Sequence, residues 1–100
     1  MATPRDAVTV APHVYRVLLE NDRVRVLEVR GTPGATTQMH SHPASVAIAV
    51  TDGTYRFTSP DGRTTDAELK AGQAMYFDAV EHAGEFTGTT ETRVVLVELK

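Results

Sequence analysis

The sequence predicts an all-β protein, a sandwich or barrel of short strands with little helix. Three observations carry this. Runs rich in Val, Leu, Thr and aromatic side chains alternate with polar residues at the period of two expected of half-buried strands. Turn signals separate the runs at Asn21-Asp22, Asp52-Gly53, Pro60-Asp61-Gly62, Ala71-Gly72 and Gly88-Thr89-Thr90. No segment holds a helical period for more than about two turns.

Taken in order, residues 1–12 hold Pro4 and Pro12 among small and polar residues and read as a loosely packed amino-terminal arm, with an edge strand around Val8 to Val10. Residues 13–100 form one domain. Val14 to Glu20 and Arg23 to Arg30 flank Asn21-Asp22 and predict a hairpin. Ser45 to Val50 and Thr54 to Thr58 flank Asp52-Gly53, a pair suited to the positive φ angles of a tight hairpin turn. Pro60-Asp61-Gly62 turns the chain into a strand over Thr64 to Leu69. Ala71-Gly72 leads into Ala74 to Phe77, Glu81 to Phe86 follows, and Thr92 to Leu99 is the last strand.

Composition narrows the function classes. One hundred residues leave no room for a separate cofactor domain. A chain of this size buries somewhat more than ~60% of its unfolded surface and can fold alone. The net charge of −3, with acids and bases interspersed and no basic stripe, argues against nucleic acid. With no cysteine, any metal must be held by nitrogen and oxygen. Neither a signal-like apolar run near Met1 nor a membrane-spanning stretch is present, so a cytoplasmic protein without a membrane partner is expected. A Gly-x-Ser-x-Gly elbow and phosphate-cradling glycine loops are missing.

The informative residues are histidines. On a strand His40 and His42 point the same way while Ser41 points away, which presets two imidazoles as neighbouring ligands. His82, from a distant strand, can complete one face of a coordination shell and leave the opposite face open. The pair alone fits a metal site and a pair of exposed or carbonyl-capped histidines equally well. By the same parity Gln38 shares the histidine face, as a fourth ligand, a substrate contact or a solvated residue at the barrel mouth. Val46, Ile48 and Val50 continue that face across Pro43, and His82 shares its own with Gly84 and Phe86. Met75 and Phe77 are core, with Tyr76 opposite. Asp78 and Glu81 read as a solvated loop, His13 as a surface residue, and Glu28 and Glu98 as structural carboxylates paired with Arg25, Arg30 or Arg93.

Around these histidines the chain resembles the cupin superfamily from about Arg23 to Lys100. Gly34, His40, His42 and Gly53 match the first cupin motif in register, with Val46 at its glutamate position. Gly72 and His82 match the second, although Asp78 and Val80 stand at its proline and glycine, His82 arrives one residue early, and Phe86 lies near its asparagine. The resemblance implies a double-stranded β-helix, the cupin jelly-roll barrel, with one divalent metal on His40, His42 and His82, and pairing into a homodimer through a sheet. Three neutral ligands leave the ion's charge uncompensated and favour an anionic or chelating small-molecule ligand. Iron(II) would suit a dioxygenase, the expected function; zinc, nickel or manganese would suit a lyase or isomerase. The alternative is a non-catalytic cupin that binds a small ligand or a metal.

Overall fold

The computed structural model describes residues 5–100, and Met1 to Pro4 lie outside the described residues. Among the described residues, alternation produces nine strands in two antiparallel sheets. These are β1 (Tyr15–Glu20), β2 (Val24–Gly31), β3 (His40–His42), β4 (Ser45–Ala49), β5 (Gly53–Thr58), β6 (Thr64–Leu69), β7 (Ala74–Phe77), β8 (Val80–Phe86) and β9 (Thr92–Leu99). One sheet has the order β1-β2-β9-β4-β7 and the other β3-β8-β5-β6. This is the double-stranded β-helix. Among the described residues no helix is long and apolar enough to cross a membrane.

Local chemistry fixes several connections. Asn21 Oδ1 accepts from the backbone N–H groups of Arg23 and Val24, closing the β1–β2 hairpin. Gly62 and Gly72 adopt φ of 88° and 87°, the left-handed conformation that their turns require. Strand β9 shows the alternation most clearly. Thr92, Val94, Leu96 and Glu98 are buried while Arg93 and Leu99 are exposed. Leu27 and Val29 pair with Leu96 and Val94, and together with Ala47 they meet Tyr55, Leu69 and Phe86 of the facing sheet in one core.

Three sequence expectations are overturned. Residues Ala7–Val10 form one helical turn, not an edge strand; Asp6 caps it by accepting from the Val8 N–H. Ala7 and Ala11 are fully buried, so these described residues of the arm are packed into the core. Ser45–Ala49 and Gly53–Thr58 do not form a hairpin, because β4 pairs with β7 and β9 while β5 pairs with β6 and β8. Gly53 lacks a positive φ. It is glycine for space: a Cβ there would collide with the Tyr55 hydroxyl and lie 2.6 Å from Thr92 Cγ2. Finally, the corner at Pro43-Ala44 shifts the parity by one residue, so Ser45, Ala47 and Ala49 face inward and Val46, Ile48 and Val50 face outward.

That reversal creates an apolar outer surface. Strand registers align Leu19, Val26, Val97, Val46 and Tyr76 in one row across all five strands of the larger sheet. Leu19 and Tyr76, at its two ends, are exposed.

Crowding at Gly53 predicts that Gly53→Ala destabilises the fold by about 1–3 kcal/mol, the usual cost of overpacking. Gly53→Asn should be worse than Gly53→Ala in urea denaturation. At a positive-φ turn the order would be reversed, because asparagine tolerates that conformation better than alanine.

Candidate metal centre

Strand β3 runs antiparallel to β8 with His40 directly opposite His82. Directly opposed residues share a face, as do residues two apart on one strand, so all three imidazoles converge. Their ring centroids lie 4.8 Å (His40–His42), 4.9 Å (His40–His82) and 5.4 Å (His42–His82) apart. One ligand atom from each lies within 4.8 Å of the others, close enough for a single ion. His40 is fully buried and His42 nearly so.

The second nitrogen of two rings is already committed. His40 Nδ1–H donates to the Gln38 carbonyl at 2.8 Å, and His42 Nδ1–H donates to Glu98 Oε2 at 2.7 Å. Because both acceptors lack a proton to give, each bond places the ring hydrogen on Nδ1 and leaves Nε2 as the nitrogen with a lone pair to offer; on His40 that lone pair faces the Tyr15 hydroxyl at 3.2 Å, which a metal would displace. Burial and the neighbouring His42 hold His40 below the usual imidazole range. Burial, His42 and His40 push His82 down to about 3, so it is neutral at physiological pH. Its ring stacks on Phe57 at 4.7 Å and 12°. Tyr15 packs edge-on against His40 and His42, and its hydroxyl lies 3.2 Å from His40 Nε2. Burial and the Glu98 charge push the Tyr15 phenol up, which keeps it a neutral hydrogen-bond donor.

Behind His42 runs a buried polar chain. Arg25 contacts Glu98 Oε1 and Asp6 Oδ1, both at 2.6 Å. Burial opposes the Asp6 charge, but the Arg25 hydrogen bond and its positive charge hold that carboxyl below the usual range. The same segment reaches the histidines directly. Arg5 gives its carbonyl to the Ser41 N–H at 2.7 Å and its guanidinium to Glu81 at 2.6 Å, so the residue between the two histidines is fixed from outside the barrel.

Beside the histidines opens a cavity of about 260 Å³ bordered by Tyr15, His42 and His82. The three sequence-predicted histidines are thus together, but Gln38 is not with them. Its side chain is exposed and lines no part of the cavity, since the chain bends at this point to bring its carbonyl, not its amide, to His40. Glu81 does border the cavity, ion-paired to Arg5, and Asp78 is exposed. His13 is exposed, with its ring against the Thr36 carbonyl. Glu28 pairs with Arg93 and Arg16, as a structural carboxylate should. Sequence reasoning assigns Glu98 the same role and misses its bond to His42; it misses Tyr15 and Asp6 altogether. The available signal is parity, which places Glu98 on the inward side of β9 after Val94 and Leu96.

Removing Glu98 separates the two tasks it performs. Glu98→Ala should cost about 3–5 kcal/mol in urea denaturation, the range for breaking a buried ion pair. The His42 ring should then populate both tautomers by nitrogen-15 NMR. Glu98→Gln retains an acceptor for Nδ1–H and should keep the single tautomer despite losing the charge opposite Arg25.

A family model described as a cupin domain matches residues 27–98. The β-alanine degradation protein BauB of Pseudomonas aeruginosa is 38% identical over 89 residues, spanning 87% of this chain and 93% of that protein. The crystal structure of a cupin domain from Bordetella pertussis Tohama I superposes with a TM-score of 0.79 at 30% identity, over 87% of this chain and 92% of that one. An RmlC-like cupin of Methanocaldococcus jannaschii shares the fold at a TM-score of 0.65 and 15% identity, over 86% of this chain and 78% of its own. Family model, relatives and the double-stranded β-helix agree, and the chain belongs to the cupin domain family.

Proposed function

We propose that this cupin is a mononuclear metalloprotein, a metal-dependent dioxygenase acting on a small anionic or chelating metabolite. The observation that carries the metal reading is the convergence of His40, His42 and His82 with the other nitrogens of the first two already bonded. A divalent ion there, iron(II) in the favoured case and zinc, nickel or manganese otherwise, would supply Lewis acidity and, as iron, dioxygen activation. The protein's own residues hold the donors in place, exclude water with a mostly apolar wall and offer the Tyr15 hydroxyl as a neutral donor beside His40. BauB is named for the degradation of β-alanine, a compact zwitterion, and what that supports for this chain is the carboxylate head group alone.

A non-catalytic binding role is favoured by one specific observation. Among the described residues, the cavity's acid is Glu81, and its carboxylate is already engaged by Arg5 at 2.6 Å. A lyase or isomerase would differ from the dioxygenase by indifference to oxygen.

Elemental analysis of the tag-free chain should find about one equivalent of metal, lost in His82→Ala. Iron-loaded protein should consume oxygen with a chelating carboxylate. Metal without oxygen uptake would move the reading to the binding role, and no metal after reconstitution would overturn it.

We also propose a homodimer joined through the outer face of the larger sheet. The row from Leu19 to Tyr76 supplies an apolar surface that a two-fold axis can match with itself. Glu28, next to it, is already neutralised by Arg93 at 2.9 Å, so no unpaired carboxylate would be buried there. Sedimentation equilibrium should return twice the chain mass, and Val97→Lys should return the monomer with its fold intact.

A further inference from the structure

The cavity beside the histidines says what shape of molecule it takes. Its interior is walled by Val29, Leu69, Phe77, Val94 and Leu96, and on one side by a stack of three rings. Tyr55 lies parallel to Phe57 at 6.0 Å and 13°, and Phe57 in turn lies parallel to His82. Among the described residues no lysine or arginine borders it. A second anionic group on a ligand would therefore meet no counter-charge once it left water. An ammonium group would find Glu81, whose carboxylate Arg5 already holds. The volume, about 260 Å³, exceeds the ~150 Å³ of an apolar cavity known to accommodate benzene by enough space for a small polar head.

We propose that the ligand is an amphipathic chelate, with one acidic oxygen-bearing head group at His40, His42 and His82 and an uncharged, ring-sized apolar body in the barrel interior. This rests on the metal reading and makes it narrower. The donor set decides how the head binds, and the wall decides which body can accompany it. Compact zwitterions and dicarboxylates fill the donor positions but leave the interior empty or bury an unpaired charge.

Three probes with one chelating head test this on the zinc-loaded full chain by titration calorimetry: acetohydroxamate, benzohydroxamate and 4-carboxybenzohydroxamate. The phenyl body should tighten binding at least ten-fold over methyl, with a more negative heat-capacity change, and the added carboxylate should cancel the gain. Ala67→Phe, which fills the cavity from β6, should abolish the phenyl advantage while zinc content stays at one equivalent; Ala67→Leu is the milder filling if that variant does not fold. Equal affinities for methyl and phenyl, or undiminished binding of the carboxylated probe, would overturn the apolar-body inference while the metal reading stands. Failure of the native chain to take up zinc, read on the same samples, would overturn both.

Discussion

The polar chain from Asp6 through Arg25 and Glu98 to His42 is the constraint on which the site depends, because it ties the two sheets together at their polar end. Arg25 and Glu98 sit opposite each other on β2 and β9 of the larger sheet, whereas His42 belongs to β3 of the smaller one. The core between the sheets is non-directional and would tolerate small slides of one over the other. A hydrogen bond of 2.7 Å between buried partners does not tolerate them. Burying these charges has a desolvation cost that their attraction only partly offsets, so the chain contributes to geometry more than to net stability. The amino-terminal segment shares in that geometry, because Asp6 completes the ion pairs and Arg5 fixes Ser41.

The same chain bears on the missing carboxylate of the first cupin motif. Val46 occupies that position, and in this protein its side chain faces outward, away from the histidines. The corner at Pro43-Ala44 therefore leaves no route by which residue 46 could contribute a ligand. Negative charge is present nonetheless, one imidazole further out. Two carboxylates and one guanidinium lie behind His42, and their sum opposes the charge of any cation in front of it. A donor set that is neutral by residue type is thus not neutral in its surroundings.

How much of this is legible in the sequence depends on where the strand period is interrupted. His40, His42 and His82 can be grouped because each lies inside an unbroken strand, and β9 emerges over Thr92–Leu99 because its alternation never breaks. Errors fall at corners. One extra residue at Pro43-Ala44 moves Val46, Ile48 and Val50 to the outer face, and Asp52-Gly53 joins strands of different sheets although it has the composition of a hairpin turn. The short helix after Asp6 has only one turn, too little for periodicity to register. Glu98 and His42 lie 56 residues apart, and nothing local marks a contact between them. A charged residue at an inward position is the visible trace, and without a partner across the barrel it reads as structural.

The separation of polar chain from apolar wall has a consequence for how such a barrel can be specialised. The residues that fix the ligand nitrogens are Gln38 just before β3, Glu98 on β9, Arg25 on β2 and Asp6 in the amino-terminal segment, whereas Ala67 and Leu69 on β6, Phe77 on β7 and Leu96 on β9 belong to the wall. Their side chains make no hydrogen bond to the histidines, so changing their size alters the space for a ligand's body without loosening the donors. The coupling that remains runs through two rings: Tyr15, which borders the cavity and packs on His40 and His42, and Phe57, which stacks on His82 and stands between that ring and Tyr55. A change at either ring would move a donor and the wall together, and this makes Tyr15 and Phe57 positions at which specificity and the site's geometry cannot be varied independently.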